Sequence, residues 1–132
     1  MSETLSSVTR VRQSRVRSIN VEFDLHDRAI TQGYILTAQA LTTLARILDG
    51  MTGRSSSRAW TLTGPYGSGK SFFSLFLMNL MCAQEPAHET AIQQLRSIDP
   101  LLSEQIGAAA SLIASKGLLP VPITGYRASL QE

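Results

Sequence analysis

Residues Gly64-Pro65-Tyr66-Gly67-Ser68-Gly69-Lys70-Ser71 match G-x-x-x-x-G-K-[ST], the Walker A pattern of a phosphate-binding loop. Gly64, Gly67 and Gly69 carry no Cβ, so the backbone can take positive φ and approach an anion closely. Successive amide N–H groups then form a nest for phosphate oxygens. A helix opening at Lys70 adds unpaired first-turn donors and the positive end of its dipole. Lys70 is the candidate catalytic residue, reaching the β- and γ-phosphates as a mobile point charge. The Ser71 hydroxyl is the candidate Mg²⁺ ligand. Pro65 stiffens the loop and lacks an N–H, so the donors come mainly from residue 66 onward. Tyr66 and Ser68 fill the variable positions, and Phe72 completes the expected cofactor-binding set. ATP and Mg²⁺ are the implied cofactors.

The elements that must hold this loop are read from periodicity. Ala59-Trp60-Thr61-Leu62-Thr63 is a short strand-like run leading into it. Phe72 to Met81 leads out as a helix apolar on nearly every face, which places it in an interior covered by other elements or a partner. Upstream, Ile19, Val21, Phe23 and Leu25 alternate with Asn20, Glu22 and Asp24 at the period of a half-buried strand. From about Tyr34 to Leu48 apolar residues recur at helical spacing, with Gly50 and Gly53 as the stop. Downstream, Pro86 ends the loop helix, a polar helix follows over 87–97, and Leu101 to Lys116 reads as another with Gly117 as its terminator. Leu118 to Thr124 is an apolar run demoted to an edge strand by Pro120 and Pro122. The order β, α, β, loop, α, α, α, β predicts an α/β fold, a three-layer sandwich left incomplete at about three strands with flanking helices.

With 132 residues, 43% hydrophobic and 17% charged, the chain reads as one globular domain at most. The near-apolar stretch from Phe72 to Ala83, about twelve residues, is too short to span a bilayer. No apolar run follows Met1-Ser2-Glu3, so no signal peptide is expected. The single cysteine, Cys82, reads as a small core group in a reducing compartment, and the expected location is the cytoplasm. His26 reads as a turn residue, since no cysteine or second histidine lies at metal-ligand spacing. The net charge of +2 is unevenly placed: residues 1–18 hold Arg10, Arg12, Arg15 and Arg17 against Glu3, and the remainder sums to −1. These two parts define the expected organisation, a basic flexible arm over 1–18 and a nucleotide-binding part over 19–132. The arginines suit nucleic-acid phosphates or an acidic partner, and equally a solvated tail or an edge-strand face. No aromatic residue is interleaved among them for base stacking.

Hydrolysis needs a second Mg²⁺-holding acid at the end of an apolar strand, and a group that orients water. Asp24 ends an alternating strand, Asp49 lies on the helix before the loop, and Asp99 follows a polar helical segment. None meets the requirement. The expectation is therefore the N-terminal part of a longer ATPase, ending before that strand. It would bind ATP weakly and hydrolyse it poorly by itself.

Leu62 to Ser71, with an apolar helix on either side, resembles the start of the ATPase module in large bacterial P-loop proteins of the AAA and STAND types. The resemblance extends loosely over residues 19–127. It implies that Lys70 and Ser71 carry the phosphate and Mg²⁺ contacts, and that residues around Tyr34 and Ile35 lie near the adenine. It also implies hydrolysis coupled to conformational change or assembly, in some relatives within antiphage defence. The family's Walker B, sensor and arginine-finger positions have no counterparts in this chain. The implied partners are the nucleotide, the rest of a longer chain or a subunit covering the apolar helix, and no membrane. One alternative is a nucleotide-regulated nucleic-acid-binding module using the arginine arm. Another is a small phosphotransferase, which would need an arginine-rich lid, whereas only Arg96 and Arg127 lie downstream. No Asn-Lys-x-Asp element specifies guanine, which favours ATP.

Overall fold

A computed structural model describes residues 18–113, 118–123 and 125. The described chain begins on a polar cap. The Asn20 side chain accepts from the N–H groups of Glu22 and Phe23 at 3.1 and 3.4 Å, and the Asp24 carboxylate accepts from Asn20 N at 2.9 Å. These bonds close a short helix, α1, over Val21–Asp24. The Asp27 carboxylate caps α2, Arg28–Gln32, in the same way. His26 sits in the turn between them and meets Glu85 Oε2 at 2.7 Å.

Thr37 caps α3, Ala38–Met51. The helix runs through Gly50 rather than stopping there, and Gly50 serves a different purpose. A Cβ at that position would lie 2.4 Å from the Trp60 ring and 2.5 Å from Ser57 O. Glycine lets the segment before the loop lie directly against α3. The loop helix α4 is Lys70–Met81, ending well before Pro86, and α5 is His88–Ile98. Asp99 separates α5 from α6, Pro100–Ile113, and its carboxylate accepts from Leu102 N at 2.9 Å. Proline suits that first helical position because its missing N–H would have no helical partner.

The core forms where α3 to α6 meet, around Leu44, Leu48, Phe76, Leu80, Leu95 and Ile106. Helix α4 packs against α1, α2, α5 and α6, so its apolar faces are enclosed by helices of the same chain. Two polar ties fix its placement. Buried Asn79 donates from Nδ2 to Thr31 Oγ1 on α2 at 3.0 Å, and its carbonyl accepts from His88 Nδ1 on α5 at 2.9 Å. Cys82 follows α4 as a buried free thiol. Burial, with a smaller contribution from the Glu85 carboxylate, pushes that thiol up to about 11, so it stays neutral near pH 7.

The α/β three-layer sandwich is overturned. Among the described residues there are six helices, no strand and no sheet. Each expected strand fails for its own reason. Residues 19–25 alternate, but side-chain capping by Asn20 and Asp24 turns the backbone into α1, and Phe23 is left 80% exposed. Ala59–Thr63 has strand-like composition, yet its backbone makes no hydrogen bond to another segment among the described residues. Residues 118–123 likewise have no secondary structure, and Leu119, Val121 and Ile123 are exposed. Pro120 and Pro122 remove alternate donors there, which weakens any ladder. Gly117 and Thr124, and the arm through Arg17, lie outside the described residues.

No helix among the described residues is long and apolar enough to cross a membrane.

Candidate functional site

The loop at 64–69 joins the irregular segment over α3 to the first turn of α4, a helix whose buried residues begin at Phe73. Gly67 and Gly69 sit at φ 80° and 83°, in the left-handed region that side chains other than glycine's seldom take. Gly64 takes φ 155°, which side chains other than glycine's rarely adopt, and a Cβ there would also come 3.0 Å from Ser68 Oγ. Gly69 is the N-cap of α4, and no side chain caps that helix. The N–H groups of Gly67, Gly69, Lys70, Ser71 and Phe72 make no hydrogen bond among the described residues. Five nearly consecutive backbone donors are thus free at the positive end of a helix dipole.

Lys70 folds back over the loop. Its ammonium donates to Gly64 O at 2.9 Å, to Pro65 O at 2.8 Å and to Ser68 Oγ at 3.2 Å. Its three protons are occupied by the loop itself, which holds the charge over the nest. Ser71 is exposed in the first turn. Among the described residues no cluster of three or more His, Cys, Asp or Glu is assembled to hold a metal. A Mg²⁺ ion in this site would be held by phosphate oxygens, with the Ser71 hydroxyl as the chain's own ligand. Tyr66 stands 94% exposed at the loop's apex, its hydroxyl 3.0 Å from Ser18 Oγ.

Two hollows flank the loop. The smaller, about 380 Å³, lies on the Tyr34 and Ile35 side and is closed by Gly67, Gly69 and Phe72. Tyr34 stacks on Phe72 with ring centroids 6.0 Å apart and planes 12° apart, and it leans on Phe76 at 5.1 Å. Gln94 holds the Tyr34 backbone by donating to its carbonyl. Burial also pushes the Tyr34 phenol above its ordinary range, so it remains a neutral ring wall. The larger hollow, about 660 Å³, lies between the loop, the irregular segment and α3. Thr37, Ala40, Thr43 and Arg46 line it from α3, and Lys70 lines it from α4.

Gly64, Pro65, Gly67, Ser68, Gly69, Lys70 and Phe72 line the two hollows together with Tyr34 and Ile35, whereas Tyr66 and Ser71 line neither and stand exposed. His26 and His88 go elsewhere, to Glu85 and to the Asn79 carbonyl. Arg10, Arg12, Arg15 and Arg17 lie outside the described residues. Sequence reasoning missed the α3 wall. Thr37, Ala40, Thr43 and Arg46 stand three residues apart, each beside the one before, but the row winds about half a turn round α3 and forms no single stripe that the spacing could have signalled.

Fold and site together define, among the described residues, an all-helical arrangement that presents the sequence Gly64–Ser71 at a helix N-terminus without a side-chain cap. Comparisons with protein-family models, with curated proteins and with solved structures find no match to this chain.

Proposed function

We propose that this chain binds ATP with Mg²⁺ through Gly64–Ser71. The observation that carries the proposal is the row of free N–H groups on Gly67, Gly69, Lys70, Ser71 and Phe72, with the Lys70 ammonium held beside it. An anion with several oxygens satisfies such a row better than water does, because charge-assisted hydrogen bonds are about twice as strong as neutral ones. Triphosphate oxygens take the donors, and Lys70 exchanges loop carbonyls for phosphate. The base lies in the smaller hollow, against Tyr34, Ile35 and Phe72. Mg²⁺ neutralises the triphosphate and is met by Ser71.

No Asp or Glu lines either hollow. The described residues thus offer binding and charge neutralisation, without a carboxylate placed to act on water. Dependence on ATP and a buried free thiol both suit the cytoplasm.

Calorimetric titration of the chain with Mg²⁺·ATP and, separately, with adenosine tests the proposal. ATP is expected to bind at least about tenfold more tightly, since the phosphates make the charge-assisted bonds. Equal affinities, or no heat at millimolar ATP, would contradict it.

A further inference from the structure

The larger hollow is strongly one-sided in charge. Its lining contains two cations, Lys70 and Arg46, and neither an aspartate nor a glutamate. Lys70 is held by the loop's own carbonyls. Arg46, by contrast, has no hydrogen-bond or ion-pair partner among the described residues, and it is exposed. Nearby arginines are engaged. Arg58 donates to the carbonyls of Gly50, Ser55 and Ser57, and Arg54 lies 3.7 Å from Asp49. Asp49 is the acid closest to Arg46 along α3, and it is directed to Arg54. Thr43, one turn before Arg46 on the same wall, uses its hydroxyl on Gln39 O at 2.8 Å.

Arg46 is tied to the loop by the hollow whose lining both share. Thr37, at the start of α3, lines both hollows together with Ser68 and Gly69, so that end of the helix adjoins the loop. Arg46 lies nine residues further on, about 13 Å along the axis. Nine residues are about two and a half turns, so Arg46 leaves α3 on the side opposite Thr37, and what joins it to the phosphate site is the larger hollow, whose lining it shares with Lys70. If the base occupies the smaller hollow, the phosphate chain must extend out of it across the nest and into the larger one. Its far end, the γ-phosphate, then enters the space that Lys70 and Arg46 share.

We propose that Arg46 is the second cation of the phosphate site and contacts the terminal phosphate, so that it distinguishes ATP from ADP. The proposal rests on the ATP-binding assignment above. It makes α3 a sensing wall: the guanidinium fork is filled when the γ-phosphate is present and empty when it is absent. Arg46 is a specificity-determining residue in this scheme, acting on a ligand that Lys70 and the backbone hold.

The test is the ratio of ATP to ADP affinity, with tripolyphosphate as a base-free probe, for the wild-type chain and for Arg46→Ala and Arg46→Lys. In Arg46→Ala, ATP and tripolyphosphate are expected to weaken about fivefold to tenfold, while ADP stays within about twofold. Arg46→Lys should recover part of the loss, because the charge is kept and the fork is not. Helix content by circular dichroism should be unchanged, since Arg46 is exposed on a helix. An equal loss for ATP and ADP, or no loss for either, would overturn the proposal while leaving ATP binding standing. A wild-type chain that binds none of the three ligands would instead remove the assignment on which it rests.

Discussion

Lys70→Ala is expected to weaken Mg²⁺·ATP binding about tenfold to a hundredfold while the helical fold persists. The magnitude comes from a hydrogen bond to a charged group, which is worth about 1.5–3 kcal/mol, with about 1.4 kcal/mol for each factor of ten. Persistence of the fold follows from what Lys70 touches. Its ammonium meets Gly64 O, Pro65 O and Ser68 Oγ, all within the loop, and no core side chain. Alanine is also a good residue for the first turn of α4. Lys70→Arg should fail nearly as badly, because a planar fork cannot replace three tetrahedral donors directed at the same loop. Calorimetry reads the affinity, and circular dichroism of the same samples reads the fold. An unchanged affinity with intact helices would mean that the ligand, if any, does not meet the loop.

Phe76→Ala is the second large effect, and it acts on stability. The ring is fully buried at the centre of α4 and is also the support on which Tyr34 leans, at 5.1 Å. Truncating a buried phenylalanine costs about 3–5 kcal/mol in transfer and cavity terms. A domain of this kind is stable by only about 5–15 kcal/mol, so the variant should unfold at much lower denaturant. Trp60 is the single tryptophan and lies against Gly50 of α3, which makes its emission a direct reporter of unfolding in urea. Nucleotide affinity should fall as well, because Tyr34 loses its backing and the smaller hollow loses a wall. A transition midpoint within error of wild type would contradict the placement of Phe76 at the core's centre.

The parts of the molecule legible in the sequence are those set by short-range chemistry. The loop was legible because its glycines each answer a stereochemical demand, a positive φ at Gly64, Gly67 and Gly69. Helix α4 was legible as interior because Phe72–Met81 is apolar on nearly every face, and α1, α2, α5 and α6 pack against it. Strands were misread because a strand is a property of two segments. Ala59–Thr63 has the composition for a ladder, but no described backbone pairs with it. In residues 19–25 the alternation was real, and two short polar side chains outweighed it by satisfying the backbone locally. Gly50 was misread as a helix stop because its reason lies ten residues away, in the Trp60 ring. The stacking of Tyr34 on Phe72 spans 38 positions and leaves no trace in local spacing.

The central claim is that phosphate sits on the backbone donors at the start of α4. Amide mapping tests it most directly, by titrating ¹⁵N-labelled chain with Mg²⁺·ATP and following each backbone N–H. The resonances of Gly67, Gly69, Lys70, Ser71 and Phe72 should shift first and furthest, along one saturating curve, while those of α6 hold still. Shifts centred on any other element, or none at millimolar ATP, would contradict the claim.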